Sequence, residues 1–567
     1  MSDENQKLYF VGGCILAAVL AAIWLCGALA GLLFGAGWTP LAFNSLVETA
    51  LRLPSHLGEP RDAWPPAIRS ALPGAVGFYV SAALLAGCVC GAFLLLRRAP
   101  MPFALPRLGQ GRRRVPSARW AKLGDLAPLR VPAPQPGRLT LGRFGRSLLA
   151  AEERQSVIVF APTETHKTSG LAIPALLEWE GPVLVTSVKG DLLAATIGRR
   201  ASMGGAMVFD PVGVSGQTAT CKATPLWGAE SWHGAMRVAH WLCSAAQPDR
   251  SGLQDADFWF ATAEKLLAPL LFTAAASGGE MADVVRWLDE GPEANDEEVA
   301  ELLSEAGVED AELAWQATQN REPRQRSSVY TTAEVIVSAF GDERVKEQTE
   351  EAEYTPELLL GGKNTLYLCA PLQEQERLRP MFSMLVQELL SFAYEKAATK
   401  GPLDPPLLLL LDEAANIAPI PNLDAIASTG AGQGIQLLSV FQDMAQVGTV
   451  YGRRAATIVN NHRAKLFGIG ISDPETLGYL SRVAGAAEFE QRSRSSGERG
   501  KRSLTEGETY RDLAPANVVR ERDPGSALLM YHNLPLAKID LRLWFEDRKL
   551  RKLKDEPPDS EQSGAGA

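Results

Sequence analysis

The stretch VIVFAPTETHKT, Val157 to Thr168, decides the fold. Four apolar residues with strong strand preference run into a turn rich in threonine, and an apolar helical pattern follows from Leu171. Strand, tight turn and helix in that order let the first helical N–H groups face an anion. Lys167 then stands where a lysine reaches the β- and γ-phosphates of a nucleotide, and Thr168 where a hydroxyl ligates Mg2+. The pattern G-x-x-x-x-G-K-[ST] has nevertheless lost both glycines, to Ala161 and His166. If the residue before the lysine is held at positive φ, a side chain there costs about 1–2 kcal/mol. On this stretch alone two readings stay open, a working phosphate loop and a chance match.

A second stretch, Leu407 to Glu413 (LLLLLDE), is an apolar strand ending in two carboxylates. Acids there are costly unless solvated or paired. In phosphoryl-transfer sites one such Asp holds Mg2+ and the neighbouring Glu polarises the attacking water, which points to Asp412 and Glu413. Gln442 closes a later apolar run, LLSVFQ, where it is placed either to sense a γ-phosphate or simply to end a strand.

Working outward, further apolar runs at Val183–Val188, Ala206–Phe209, Thr365–Cys369, Gln436–Phe441 and Leu466–Ile469 alternate with helical stretches. They are continuous rather than alternating, as in parallel strands buried on both faces, so the expected class is α/β with a doubly wound sheet. Between about 225 and 350 the strand pattern stops. That segment reads as an inserted all-α domain, with thirteen acids and only Arg286 as a base from Glu280 to Glu312. The flanks, 151–224 and 351–548, make up the nucleotide-binding domain. The Ser-, Gly- and charge-rich segment from Gly485 to Arg511 reads as a surface loop, and 549–567 as a disordered tail.

The amino-terminal part differs in kind. No charged residue occurs from Leu8 to Val47 or from Ser70 to Leu96, and each run exceeds the roughly 20 residues that cross a bilayer. The expectation is an anchor over 1–97 with spans at about 8–37 and 71–96 and a short extracytoplasmic loop. Twelve Lys/Arg against one acid, Asp125, between Arg97 and Arg146 place both termini in the cytoplasm. Eight prolines between 100 and 136 make 98–150 a basic juxtamembrane linker, with anionic lipid or DNA backbone as its sharper reading. Gly27, Gly31 and Gly35 lie along one helix face.

The 567 residues carry a net charge of −10, which as an average argues against nucleic acid; the basic block shows that the average conceals opposed regions. Seven scattered cysteines with no CxxC pair imply a reduced compartment and no structural zinc.

Several longer stretches together resemble one family, the TraG-type coupling proteins of type IV secretion and conjugation. They are APTETHKTSGLAIPALLEWEGPVLVTSVKGD (161–191), VFDP (208–211), DADFWFATAEKLLAPLL (255–271), LLLLLDEAANIAPIPNLDAIASTGAGQGIQLLSVFQD (407–443) and VNNHRAKLFGIGISDPETLGYLSRVAG (459–485). The resemblance implies a membrane-anchored, homo-hexameric ATPase and DNA translocase with a RecA-like P-loop core and an inserted all-α domain. Its implied partners are single- or double-stranded DNA with its relaxase, or protein substrates, and the channel proteins of the inner or plasma membrane. ATP and Mg2+ are the implied cofactors. Thr163, Glu164, Thr165, His166, Lys167, Thr168 and Ser169 would surround the phosphates, and Thr168 and Asp412 would hold the metal. Glu413 and Lys167 would carry the chemistry, with Gln442 as sensor. His166, and Ala431 where many relatives place an arginine, depart from the pattern. They leave a second reading, a degenerate scaffold that recruits substrate without efficient hydrolysis.

Overall fold

Runs such as Leu407–Leu411 have no polar side, so a sheet built from them needs cover on both faces. In the computed structural model, which describes residues 3–38, 41–98, 117–187, 190–217, 220–246, 256–417, 419–496 and 502–555, the chain supplies it. In chain order the strands are β1 (Arg130–Val131), β2 (Thr140–Phe144), β3 (Ser147–Ala150), β4 (Val157–Phe160), β5 (Val183–Ser187), β6 (Ala206–Phe209), β7 (Thr365–Cys369), β8 (Leu407–Leu411), β9 (Ile435–Phe441), β10 (Ala464–Phe467), β11 (Ala486–Ser496), β12 (Arg502–Asp512), β13 (Ser526–Tyr531) and β14 (Ala537–Asp540). Twelve of them form one sheet in the order β1-β3-β2-β14-β13-β10-β4-β9-β8-β5-β7-β6, and β11 pairs with β12 alone.

From β10 to β6 every pairing is parallel; from β10 to β1 every pairing is antiparallel. β9 lies between β4 and β8, so the ends of Val157–Phe160 and Leu407–Leu411 face each other across one strand. All five leucines of β8 are fully buried. At about 1.5–3 kcal/mol per buried leucine they hold the strand end firmly where two acids emerge.

Between β6 and β7 the chain leaves the sheet for the helices Trp232–Ala246, Ala256–Ala276, Met281–Glu290, Pro292–Ala306, Glu309–Gln319, Pro323–Val337 and Glu343–Thr349. Their buried Trp287 and Trp315 belong to the same apolar cluster as Phe160, Leu184 and Phe209 of the sheet, so one face of the sheet and the helical lobe share a core. The other face is covered by the helices Ile173–Glu178 and Gly190–Met203 and by the carboxyl-terminal segment.

The helix Gln375–Lys400 buries Glu388 against Gly228, where a Cβ would collide with the carboxylate. Burial pushes this carboxyl up to about 8, against the opposing pull of Arg237 and the Gly228 N–H. The folded chain therefore keeps a proton that the unfolded chain has lost. The stability this confers is complete below about pH 4.5 and is lost as pH rises through 8. Glu388→Gln should flatten that dependence, on the order of 1.4 kcal/mol per pH unit between 5 and 8, in urea unfolding at several pH values. Equal slopes for the variant and the native chain would refute the assignment.

The chain divides into two compact units, 1–113 and 114–567. In the first, the helices Asp3–Phe34, Phe43–Arg52 and Ala75–Arg98 pack around Trp64, whose ring meets Phe78 edge-on at 5.1 Å. A Cβ at Gly27 would lie 2.7 Å from the Trp64 ring, so that glycine serves packing within the unit.

The structure departs from the sequence-based expectations at four places. Among the described residues no helix is long and apolar enough to cross a membrane. The two-span anchor, its extracytoplasmic loop and the multi-pass inner- or plasma-membrane location with both termini cytoplasmic are set aside on this ground. Second, part of the expected linker, Arg130–Ala150, forms β1 to β3 at the sheet edge; residues 99–116 of that linker lie outside the described residues. Third, the expected loop after Gly485 is the hairpin β11–β12. Fourth, the expected tail begins inside a helix, Arg548–Lys554, capped by the Asp547 carboxylate, which accepts from the N–H groups of Lys549 and Leu550; residues 556–567 lie outside the described residues.

Candidate functional site

The site forms at the carboxyl ends of β4, β9 and β8, where an open parallel sheet binds its ligands. β4 is buried along its whole length and is held from both neighbours. The Ala161 N–H donates to the Phe441 carbonyl at 3.0 Å, and the Gly468 N–H to the Phe160 carbonyl at 2.8 Å. The following turn is closed by the Thr165 hydroxyl on the Pro162 carbonyl at 2.7 Å. A wide π-type turn, Thr168–Ala172, leads into the helix Ile173–Glu178. Pro174 has no N–H to return to Gly170, which accounts for the widening.

Five non-glycine residues among those described have positive φ, and three converge here: Glu164 at 62°, His166 at 63° and Glu413 at 58°. His166 thus occupies the left-handed conformation that glycine would adopt freely. Such strain, about 1–2 kcal/mol per residue, persists where surrounding structure fixes it and marks working sites. Left-handed residues within a turn also aim successive N–H groups inward and make an anion-binding concavity. His166→Gly should stabilise the chain by about 1 kcal/mol, read as a rise in the denaturation midpoint. An unchanged or lower midpoint would show that the imidazole, whose Nδ1 lies 3.2 Å from the Ser169 hydroxyl, more than offsets the strain.

Opposite the loop stand the two carboxylates. Lys167 Nζ donates to Glu413 Oε1 at 2.8 Å, and both side chains are largely buried. Glu413 Oε2 accepts from Asn416 Nδ2 at 3.3 Å and from Gln442 Nε2 at 3.5 Å. The Thr168 hydroxyl donates to Asp412 Oδ2 at 3.1 Å, while the Asp412 main-chain carbonyl accepts from Thr186 Oγ1 at 2.9 Å. Burial pushes the Asp412 carboxyl up to about 6; the Lys167 charge works against this and the Glu413 charge adds to it. Its Oδ1 is buried without a partner. A divalent cation fits this donor set: an orphaned carboxylate oxygen beside a threonine hydroxyl, both hard oxygen ligands.

The structure brings Lys167, Thr168, Asp412, Glu413 and Gln442 together, and it places Thr163 to Ser169 on the loop facing them. It adds residues to which the sequence assigned no chemistry. Asn416 holds Glu413 from the turn after β8, and Asp191 is near enough for its charge to raise the Asp412 carboxyl. A carboxyl-terminal strap also reaches the loop: the Trp544 N–H donates to the Ser169 carbonyl at 3.1 Å, and the Phe545 ring centre lies 6.2 Å from that of His166. Asp210 is a loop organiser, accepting from the N–H groups of Gly213, Val214 and Ser215. Ala431 is far from these groups in the fold. It lines a cleft of about 350 Å3 with Arg154, Arg463 and Lys465 beside Gln155 and Ser156, which precede β4.

A RecA-like core with a phosphate loop facing two strand-end carboxylates defines the P-loop class of α/β proteins. Within that class the chain belongs to the family described as Type IV secretory system Conjugative DNA transfer, matched over residues 128–564. It is 24% identical over 456 residues to protein VirD4 of Rhizobium radiobacter, an alignment covering 77% of this chain and 65% of that protein. The chain thus spans just under two thirds of VirD4's length. It is also 24% identical over 590 aligned residues to a probable conjugal transfer protein TraG of Sinorhizobium fredii, covering 96% and 91%. Among solved structures, the coupling protein TrwB without its first residues (TrwBdeltaN70, unbound) superposes with a TM-score of 0.57 at 19% identity, covering 77% of this chain and 97% of that one. TrwB in complex with ADP and Mg2+ superposes at 0.56 and 18% identity, covering 75% and 94%. These structural likenesses carry the fold.

Proposed function

We propose that the chain is the coupling ATPase of a conjugative or type IV secretion system, using ATP hydrolysis to move DNA with its relaxase, or a protein substrate, towards the channel. The observation that carries this reading is the convergence of Lys167, Thr168, Asp412, Glu413 and Gln442 at three adjacent strand ends, within a chain of the conjugative DNA transfer family. The N–H groups of Thr163 to Ser169 cradle the phosphates. Thr168 and Asp412 are the groups that would hold Mg2+, which when bound offsets charge on the phosphate oxygens.

Lys167 has two partners in turn. Without nucleotide it neutralises Glu413 across 2.8 Å. Phosphate oxygens compete for the ammonium, and as Lys167 turns to them Glu413 is released to take a proton from the attacking water. Gln442, bonded to the same carboxylate, lies on the strand end between the two loops and reads whether the last phosphate is present. Assembly as a homo-hexamer, with 225–350 as an all-α lobe receiving substrate, completes the reading. Transfer of the cognate element from donors carrying only the Lys167→Ala chain should fall by orders of magnitude; transfer at the native frequency would refute it.

One observation favours the degenerate scaffold as a second reading: His166 is held at φ 63° next to the lysine. The same His166→Gly variant separates the two. Hydrolysis that arises only with glycine at 166 makes the native chain the scaffold, and hydrolysis by both makes it the motor.

A further inference from the structure

The basic block that stood out in the sequence does not lie loose along the part that the structure describes. Arg130, Arg143 and Arg146 come together with Arg542 and Lys549 around a cleft of about 550 Å3 at the β1–β3 edge of the sheet, and no acid lines it. Two of the five cations are neutralised locally. Arg143 and Arg542 share the Asp547 carboxylate at 3.2 and 3.1 Å, and Arg542 also pairs with Glu178 at 2.7 Å. Arg130, Arg146 and Lys549 are exposed and have no ion-pair partner among the described residues. The exposed Arg548, Arg551 and Lys552 add further positive charge on the helix that carries Lys549. In a chain of net charge −10 this is a concentrated cationic surface.

We propose that this cleft seats the sugar–phosphate backbone of single-stranded DNA. The inference rests on the reading of the chain as a DNA-coupling motor and adds a location to it. Guanidinium forks match phosphate oxygens. No aromatic side chain lines the cleft for bases to stack on, so contact is with the backbone and independent of sequence. A bilayer is the poorer occupant. The apolar lining is Ala127, Pro132, Ala133 and Pro134 with the buried Val131 and Leu148, and offers no large exposed side chain to insert among acyl chains.

The cleft is also tied to the nucleotide site. Arg542, in its wall, grips Glu178 at the far end of the phosphate-loop helix, whose carboxylate also accepts from Thr140 at 2.8 Å. Two residues on, the Trp544 N–H holds Ser169 at the near end. The strap Leu541–Asp547 therefore clamps the helix at both ends, and occupancy of the cleft is felt at the loop.

The test uses the full chain and a fluorescent 30-nucleotide oligo-dT in an anisotropy titration over a salt series. Changing Arg130, Arg146 and Lys549 together to serine should weaken binding at least about tenfold near 0.1 M salt and reduce the slope of log K against log salt by about 2. The variant should keep its hydrolysis rate without DNA and lose the increment that DNA adds. The charge-keeping set Arg130→Lys, Arg146→Lys and Lys549→Arg should bind within a few fold of the native chain. Native affinity and slope in the serine variant would overturn the proposal, as would lysine and arginine replacements no better than serine. So would a loss confined to phosphatidylglycerol vesicles with DNA binding intact. Failure of the motor reading is distinct: it shows as hydrolysis indifferent to Lys167→Ala, whatever the cleft binds.

Discussion

Lys167→Ala should abolish nucleotide binding and hydrolysis, lowering kcat/KM by about 10³-fold or more, which is about 4 kcal/mol of lost transition-state stabilisation. The size follows from the site's construction. Among the described residues Lys167 is the one cation bonded to the Glu413 carboxylate, and its charge, ahead of the Thr168 hydrogen bond, opposes the rise of the buried Asp412 carboxyl. Its loss both removes the phosphate ligand and leaves two acids crowded at one strand end. Thermal unfolding reads the two effects apart. The variant should melt below the native chain without nucleotide, because an uncompensated buried charge destabilises strongly. It should also lose the gain that saturating ATP and Mg2+ give the native chain, about 2.7 kcal/mol at a hundredfold excess over Kd. A variant that is still stabilised by nucleotide would show that the loop binds without its lysine.

Glu413→Gln should behave differently. The amide oxygen still accepts from Lys167, and the loop is untouched, so nucleotide affinity should stay within about threefold of native. Turnover should fall by about 10²–10⁴, the usual contribution of a positioned general base. The φ of 58° at this residue is imposed by the turn after β8 and survives the change, so the comparison isolates the proton acceptor from the backbone. Equilibrium binding of a fluorescent nucleotide together with single-turnover phosphate release would measure both quantities. A parallel loss of binding and turnover would make Glu413 a structural partner of Lys167 and not the base.

The parallel half of the sheet was legible because its strands are apolar on both faces: Val157–Phe160 and Leu407–Leu411 leave no other account of themselves. The antiparallel half was not. β1 is two residues long, β14 alternates buried and exposed along Ala-Lys-Ile-Asp, and β2 carries Arg143 half exposed, so prolines and charges there read as linker. β11 and β12 are polar along most of their length and read as a loop for the same reason. In the site, Lys167 and Thr168 were marked by the phosphate-loop pattern, and Asp412, Glu413 and Gln442 by their positions at strand ends. Asn416, Asp191 and Trp544 were not, because their place beside the loop is set by chain folding and no local pattern announces it. The strain anticipated at His166 from one missing glycine is present in its φ of 63°. The long uncharged runs near the amino terminus illustrate the opposite failure, where composition suggested spans that no described helix provides.

On the proposed function, a loop carrying His166 in place of glycine still drives hydrolysis in the service of DNA movement. Steady-state phosphate release by the full chain, with ATP and Mg2+ and with or without single-stranded DNA, tests it most directly. Turnover in the native chain should rise with DNA, and in Lys167→Ala and Glu413→Gln it should stay at least about 10²-fold lower with or without DNA. Equal phosphate release by the native chain and Lys167→Ala would contradict it.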